Sequence, residues 1–220
     1  MAANSSRLVV VGRNSSVWAR VKPYVGSSAF ELSHEEVEAT NILPTDIVWI
    51  LSYSRSDEDN RRLLSRLAAA GARQTIYVSS ATAITGDKYR CYSYPRSKFH
   101  AEIAAVELLR ASIVRFGVVY EREDELPGGV TLATSLEAIA RAMQKSLRSG
   151  PQTIPRDLFE PVNRPFRSVT ERLAYAVYTT LVQIVPTPCL LRPLDLLLRM
   201  LGWNWYGYVF LSNRQWLTTT

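Results

Sequence analysis

Short apolar runs alternate with segments of helical periodicity through the first half of the chain. Five runs are rich in β-branched residues and end at turn residues, and they predict buried strands at 7–12, 29–32, 46–51, 75–78 and 112–117. Between them, Ser15 and Ser16 can cap a helix, and apolar positions recur with helical spacing over about 57–70 and 95–110. Such alternation is typical of an α/β fold in which crossover helices join parallel strands.

The pattern changes after Pro127-Gly128-Gly129. A helix is predicted over about 134–147 and another over about 169–185, separated by a proline-rich connector at 151–166. We therefore expect residues 1–126 to form the sheet with its helices. We expect residues 127–220 to add a small, mostly helical region that completes the fold.

Composition excludes several classes of protein. With 47% hydrophobic and 21% charged residues, the 220-residue chain has the make-up of a globular domain with a sizeable core. Two cysteines and two histidines are too few for a disulfide framework or a multi-histidine metal site, so we expect no metal. The net charge of +6 is carried almost entirely by arginine, which suits phosphate and carboxylate ligands. No basic run marks a nucleic-acid module, so a small-molecule partner is expected instead.

The apolar C-terminal half raises the question of a membrane. The uncharged stretch 173–191 is interrupted by polar residues and by Pro186 and Pro188, so we interpret it as a buried helix followed by a loop. Without a secretory signal pattern at the N-terminus, a cytoplasmic location is expected. The aromatic segment 203–210 can pack on the sheet, which we favour, or close a pocket, form a homodimer contact or touch a membrane interface.

Tyr94 and Lys98 stand four residues apart at the start of a predicted helix, so their side chains share one face. A tyrosine hydroxyl has an ordinary pKa of about 10, and a nearby ammonium lowers it toward the range of a general acid or base. Ser80 closes the preceding strand fourteen positions earlier, where a hydroxyl can polarise a carbonyl or bind an alkoxide. This context favours a catalytic site over an accidental spacing.

These residues resemble a known superfamily. The segment 76–86, followed by Tyr94-Pro-Arg-Ser-Lys98, resembles the short-chain dehydrogenases and reductases of the extended or atypical type. Within them it is most similar to the NAD-dependent nucleotide-sugar epimerase/dehydratase branch. The helix at 60–73 and the strand at 112–120 also resemble that branch, and the similarity covers roughly residues 7–121.

The resemblance implies a Rossmann-like, doubly wound parallel sheet in which residues 1–126 bind a dinucleotide, NAD or NADP. Tyr94 would be the catalytic acid/base, Lys98 would lower its pKa and hold the nicotinamide ribose, and Ser80 would bind the reacting oxygen. Ser79 and Thr82 remain alternatives for that hydroxyl. The implied function is redox chemistry at a carbonyl or hydroxyl carbon of a nucleotide-activated sugar in polysaccharide or glycoconjugate biosynthesis. Epimerase, reductase and dehydratase stay open.

The cofactor loop departs from the superfamily pattern. Only Gly12 remains of a Gly-x-x-Gly-x-x-Gly loop, with Ser15 and Trp18 at the other two places. Trp18 should push the first helix away from the sheet or pack in a remodelled interface. Arg13 can pair with a diphosphate or with the 2′-phosphate of NADP, whereas Glu31, Ser33 and His34 do not fall cleanly on the acidic position that favours NAD. The candidate cofactor-binding residues are Gly12, Arg13, Asn14, Ser15, Ser16, Ser52 and Lys98.

The region after residue 127 should supply substrate contacts. Thr82, Arg164 and Arg167 are the candidate substrate-binding residues, the two arginines because they can reach a sugar-nucleotide diphosphate. The eroded glycine loop and small substrate region support an alternative, a non-catalytic regulatory or scaffold protein that binds NAD(P). Retention of both Tyr94 and Lys98 argues against that alternative.

Overall fold

Five parallel strands form the central sheet of the protein. A computed structural model describes residues 6–26, 29–38, 41–88, 91–185, 188–200 and 206–219. The strands lie in the order β2-β1-β3-β4-β5, and each neighbouring pair is parallel. Their bounds are Leu8–Val11 (β1), Phe30–Leu32 (β2), Ile47–Ile50 (β3), Gln74–Ser80 (β4) and Ser112–Phe116 (β5). All five predicted strands are thereby confirmed.

Helices cover both faces of this sheet. On one face α1 (Ser16–Val25) packs against α4 (Leu136–Ser149), and on the other α2 (Asp57–Ala69) packs against α3 (Ser93–Leu109). The protein therefore has the doubly wound α/β architecture that was predicted. Because α4 comes from the second half of the chain, that half supplies part of the cover of the main sheet.

Strands β1 and β3 are apolar throughout because each face of the sheet has its own core. In β3, Ile47 and Trp49 join the cluster beneath α1 and α4, whereas Val48 and Ile50 join the one beneath α2 and α3. Successive side chains of a strand point to opposite faces, so a strand buried on both sides has no polar positions. This explains the unbroken apolar runs in the sequence.

The connection from β2 to β3 is short for this architecture. None of its described residues, 33–38 and 41–46, forms a helix or strand, so β2 lies at the edge of the sheet. Arg66 of α2 donates hydrogen bonds to the backbone carbonyls of His34, Glu35 and Val37, and Arg7 pairs with the buried Asp46 at 2.7 Å. These contacts hold an irregular connection against the sheet.

A second, three-stranded sheet follows β5. It contains β6 (Val118–Tyr120), β7 (Gly129–Ser135) and β8 (Glu160–Arg164), with β6 parallel and β8 antiparallel to the central β7. The sequence prediction missed β7 and β8. It began the following helix at about 134 instead of 136, and it assigned the residues of β8 to a connector. Pro161 lies in β8, where an edge strand tolerates a residue that cannot donate to the ladder.

Three helices complete the chain: α5 (Val169–Ile184), α6 (Arg192–Met200) and α7 (Gly207–Thr219). The first confirms the helix predicted over 169–185. They pack around a third hydrophobic cluster that includes Tyr178, Leu198 and Phe210, and α7 contacts the 3-10 turn Ala81–Thr85 after β4. Trp203 and Trp205 of the aromatic segment lie outside the described residues. Among the described residues, no helix is both long and apolar enough to cross a membrane.

Candidate active site

Ser80 and Tyr94 meet at the carboxyl end of the sheet. Ser80 is the last residue of β4, and Tyr94 lies in the first turn of α3, where Pro95 is compatible with the helical backbone. The Ser80 side chain lies close enough to the Tyr94 hydroxyl to lower its pKa. Ser80 Oγ lies 2.9 Å from Thr82 Oγ1 and accepts from the Thr82 backbone amide at 3.2 Å. The hydroxyls of Ser80, Thr82 and Tyr94 are therefore grouped at one place.

The turn that joins β4 to α3 sets this geometry. A Cβ at Gly86 would lie only 2.5 Å from the Pro95 carbonyl oxygen and 2.6 Å from Phe99 Cβ. Glycine at this position thus lets the 3-10 turn pack directly on the first turns of α3. That close approach places the end of β4 beside the start of the helix.

Of the three hydroxyls that the sequence left open, Ser80 is the one in contact with Tyr94. Ser79 Oγ is buried and has no hydrogen-bond partner among the described residues. Thr82 lies one step further away and reaches Tyr94 only through Ser80. The geometry favours Ser80 as the hydroxyl that would share a substrate oxygen with Tyr94.

Lys98 lies behind this pair, one turn along α3. Its side chain is buried, with Nζ donating to the Val78 carbonyl at 3.2 Å and lying 4.4 Å from the ring centroid of Tyr53. Burial lowers the pKa of Lys98 to about 8, although the nearby Glu102 carboxylate opposes that shift. The ammonium is therefore poised to lose its proton in mildly alkaline solution.

The expectation that Lys98 lowers the pKa of Tyr94 is not met in this structure. Burial raises the pKa of Tyr94, and only the hydrogen bond with Ser80 opposes that shift. The reason is geometric, since Nζ of Lys98 points to the Val78 carbonyl and the Tyr53 ring. Tyr94 is therefore a neutral hydroxyl here and has a proton to donate.

A cavity of about 510 Å³ opens beside Ser80, Thr82 and Tyr94. Its volume is in the range of small-molecule sites. The opposite wall is aromatic and comes from the C-terminal helices and the residue before α7: Tyr175, Tyr206, Tyr208 and Phe210. The Tyr206 and Tyr208 rings stack with centroids 5.2 Å apart, and Tyr208 lies 5.8 Å from the Tyr94 ring.

Asp195 of α6 holds this aromatic wall in place. Its buried carboxylate accepts the Tyr92 hydroxyl at 3.1 Å, the Gly207 amide at 2.9 Å and the Tyr178 hydroxyl. Burial raises the pKa of Tyr178, and its hydrogen bond to Asp195 adds to that shift. One side chain thus ties α5, α6, α7 and the start of α3 together, and the sequence offered no signal for it.

A smaller cavity of about 110 Å³ lies on the other side of the same residues. Ser15, Ser79 and Lys98 line it together with Ser80 and Tyr94, so Ser80 and Tyr94 belong to both cavities. The adjoining loop turns at Gly12, whose φ of +115° disfavours any other residue. A Cβ there would lie 2.7 Å from the Ser52 amide. The single surviving glycine is thus required by the turn itself.

Other predicted cofactor residues lie around this loop with different surroundings. Arg13 is exposed and pairs with Glu36 at 3.1 Å, and Glu31 pairs with Lys22 at 2.7 Å. Asn14 and Ser16 are exposed, and Ser52 follows β3 at the edge of the loop. Trp18 is buried in the core that α1 shares with α4, so it packs at the interface between the helix and the sheet.

The two arginines predicted to bind substrate differ in position. Arg167 lines the larger cavity, and its guanidinium donates to the Asp124 carbonyl. Arg164 is not brought to the cavity wall. It forms a nearly buried ion pair, 3.2 Å long, with Glu171, which does line the cavity.

Comparison with known proteins finds relatives by structure alone. No protein-family model matches the sequence, and no curated protein matches it. Among solved structures, an NAD-dependent NDP-hexosamine 5,6-dehydratase, TunA, is similar with a TM-score of 0.54 and 13% identity, covering 81% of each chain. A UDP-N-acetylglucosamine 4-epimerase from Bacillus cereus has a TM-score of 0.53 and 12% identity over 81% of this chain and 85% of its own. MoeE5, solved with UDP-glucuronic acid and NAD, has a TM-score of 0.52 and 11% identity, covering 84% of each.

The protein has the fold of these enzymes. This agrees with the fold implied by the resemblance of residues 76–98. At such low identity the similarity is one of architecture, so the roles of individual side chains depend on the local geometry described above.

The residues around the smaller cavity fit a dinucleotide in two respects. Helix α1 starts without a side chain that caps its first amides, and free amides at a helix N-terminus stabilise phosphate. The buried, unpartnered Ser79 Oγ lines the same cavity and would gain a partner from a polar ligand. Ser15, which takes the place of the second glycine in the pattern that the sequence resembles, also lines this cavity, so a hydroxymethyl group lies where that pattern has none.

Proposed function

We propose that the protein is an NAD(P)-dependent enzyme that oxidises a hydroxyl-bearing carbon or reduces the corresponding carbonyl. The observation that carries this proposal is that Ser80 and Tyr94 line both cavities, with the Ser80 side chain close enough to lower the pKa of the Tyr94 hydroxyl. A reacting carbon there would lie between a dinucleotide on one side and a substrate pocket on the other. The fold shared with NAD-dependent dehydratases and epimerases supports the same function.

Tyr94 and Ser80 would act on the oxygen of that carbon. In the reducing direction the Tyr94 hydroxyl donates its proton to the carbonyl oxygen, and Ser80 stabilises the developing negative charge with a hydrogen bond. In the oxidising direction the tyrosinate takes the hydroxyl proton back. A bound NAD(P) supplies or accepts the hydride. Lys98, buried close behind, would hold the ribose.

The dinucleotide would be held by Gly12, Arg13, Asn14, Ser15, Ser16, Ser52 and Lys98. Arg13 is exposed and pairs with Glu36. If Arg13 left Glu36 and paired with the 2′-phosphate of NADP, the protein would prefer NADP over NAD. Intact pairing with Glu36 favours NAD. A comparison of the two cofactors therefore tests the role of Arg13 directly.

The proposed substrate is a nucleotide-activated sugar of polysaccharide or glycoconjugate biosynthesis, processed in the cytoplasm. Structures with this fold act on UDP- and NDP-linked sugars. The stacked rings of Tyr206 and Tyr208 offer an aromatic face for a nucleobase, and Arg167 offers a cation for the diphosphate. An epimerase or a dehydratase would begin with the same oxidation that a simple dehydrogenase performs.

The first test is cofactor binding. Titration of the purified protein with NADH and NADPH, followed by nicotinamide fluorescence, should show saturable binding of at least one of them. Tyr94→Phe keeps the ring and removes the hydroxyl. We expect it to bind the cofactor nearly as well as the unaltered protein. Turnover of UDP-linked sugars should fall about 100-fold or more. Equal turnover in the variant would contradict the role of Tyr94.

The choice between the adjacent serines can be tested in the same assay. Ser80→Ala removes the hydroxyl that lies beside Tyr94, so its turnover should fall about 100-fold. Ser79→Ala, assayed at saturating cofactor, is the matched control, because it removes a hydroxyl that has no hydrogen-bond partner among the described residues. A larger loss of turnover in Ser79→Ala would reverse the assignment.

A non-catalytic NAD(P)-binding regulator is the second candidate. The replacement of two loop glycines by Ser15 and Trp18 favours it, because Ser15 narrows the approach to a pyrophosphate. This candidate predicts cofactor binding that is unaffected by Tyr94→Phe, with no turnover of any substrate in either protein.

A further inference from the structure

Exposed apolar side chains are concentrated on the C-terminal helices. Among the described residues, five exposed large hydrophobic side chains lie before residue 169 and nine lie from there on. A surface of this kind marks a contact with another molecule, since scattered exposed apolar residues would be spread evenly. The nine are Val169, Leu173, Val177, Ile184, Leu190, Leu196, Leu197, Met200 and Leu217.

Helix α5 exposes several large apolar side chains on its outer side. Its inner side packs Tyr178 and Val182 into the third hydrophobic cluster. Val169, Leu173 and Val177 follow one another at successive turns on the opposite side, and Val169 is 83% exposed. A surface helix of a water-exposed domain has polar residues at these positions, so this face is built for an apolar environment.

Helix α6 has the same organisation. Leu198 and Asp195 point into the protein, whereas Leu196, Leu197 and Met200 point outward. Met200 is 78% exposed. We call the outward residues of α5 and α6 the C-terminal apolar surface: Val169, Leu173, Val177, Ile184, Leu196, Leu197 and Met200.

The charges of this region have one sign. From Ser168 onward, each charged side chain that the structure describes as exposed is an arginine: Arg172, Arg192 or Arg214. The acidic residues of the same segment are turned inward. Glu171 pairs with Arg164, and Asp195 is buried among its tyrosine partners. The charge that solvent meets in this region is therefore positive, beside exposed apolar groups and a few uncharged polar side chains such as Thr180 and Gln183.

We propose that the C-terminal apolar surface rests on an anionic lipid membrane, with the outer faces of α5 and α6 in the lipid headgroup region. Apolar side chains bordered by arginine are what such an interface binds. Contact through a second copy fits less well, because a twofold interface brings the same patch from both molecules together. Such an interface would offer the exposed arginines no exposed acidic partner from this surface. The proposal does not depend on the proposed enzymatic function.

Vesicle binding tests the proposal with the 220-residue chain. Co-sedimentation with vesicles of phosphatidylcholine containing roughly 30% phosphatidylglycerol should be strong at low salt and should weaken as salt rises. Vesicles of phosphatidylcholine alone should bind much less protein. Absence of binding to the anionic vesicles at low salt would overturn the proposal.

Two pairs of variants separate the apolar and the charged contributions. Leu196→Ser/Leu197→Ser/Met200→Ser should reduce vesicle binding about tenfold or more, whereas Ile103→Ser/Val106→Ser alters exposed apolar residues of α3 and should not. Arg172→Gln/Arg192→Gln should also weaken binding about tenfold or more. Its control, Lys145→Gln/Arg148→Gln, removes the same charge from α4 and should have little effect. Equal binding by a surface variant and its control would contradict the assigned surface.

The oligomeric state decides between a membrane and a second copy. Light scattering of the unaltered protein and of the triple serine variant should give the same mass if lipid covers this surface. A dimer that becomes a monomer in the triple variant would overturn the proposal, because the surface would then be an interface between copies. Thermal unfolding of each variant verifies that the fold is retained.

Discussion

Lys98 is the residue whose surroundings most constrain the proposed chemistry. It is buried behind Tyr94, where its charge is only partly offset by the Val78 carbonyl and the Tyr53 ring. The pair Tyr94 and Lys98 could be recognised from spacing, since positions four apart share a helix face. The contact between Tyr53 and Lys98 could not be predicted in this way. Tyr53 lies in the loop after β3, and no local sequence pattern shows that this loop lies next to α3.

Burial of Lys98 makes the stability of the protein depend on pH. Its pKa is about 8 in the folded state and 10.5 in the ordinary, solvated state. Between these values the unfolded chain holds more protons than the folded chain, so this group makes stability rise with pH. Below pH 8 both states are protonated at this group, and the folded state carries the full cost of the buried charge.

We therefore expect Lys98→Met to be more stable than the unaltered protein at pH 7, by about 1–3 kcal/mol after loss of the hydrogen bond to Val78. The advantage should shrink as pH rises from about 8 toward 10.5. Urea unfolding at pH 7 and at pH 9.5 measures both. Lys145→Met, at an exposed lysine of α4, is the control and should show no such trend. A difference independent of pH would contradict the assigned burial of charge.

At the scale of elements, prediction succeeded where one periodicity dominated. The five buried strands and the helix at 169–184 were visible as apolar runs or helical spacing. Strands β7 and β8 were not visible in the sequence. Strand β7 mixes threonine with alanine and is followed directly by α4, and β8 contains Pro161. Their pairing is set by contacts distant in sequence. Gly117, for example, leaves room for the backbone of Leu132 to approach.

Asp195 shows how a tertiary contact fixes several elements at once. Three groups donate hydrogen bonds to the Asp195 carboxylate. Asparagine would offer them one accepting oxygen and an NH2 group that is itself a donor. We expect Asp195→Asn to lower the free energy of unfolding by about 2–3 kcal/mol. Tyr92→Phe removes one donor and leaves two, so about 1 kcal/mol is expected. Urea unfolding ranks the two variants, and a smaller effect for Asp195→Asn than for Tyr92→Phe would refute the role of the carboxylate.

At the scale of the whole molecule, the two halves of the chain share one core. The sequence suggested that residues 127–220 complete the fold of residues 1–126, and the packing of α4 on α1 shows one physical basis for that dependence. A second link is the ion pair between Arg115 in β5 and the buried Glu102 in α3. Glu102 also pairs with Arg156, which belongs to the second half of the chain. Neither contact is local in sequence, so neither could be predicted from periodicity.

A fragment ending at residue 126 should consequently fail to fold. It would lack Leu136, Ile139 and Met143 of α4, which are fully buried against the face of the sheet that also carries Trp18 and Trp49. Exposing that face costs more than the few kcal/mol by which domains are stable. We expect the fragment 1–126 to show no cooperative urea transition. A fragment 1–168, which retains α4 and the second sheet, should unfold cooperatively at a lower urea midpoint than the full chain. A cooperative transition of the shorter fragment would contradict this expectation, because it would mean that residues 1–126 form a stable core without α4.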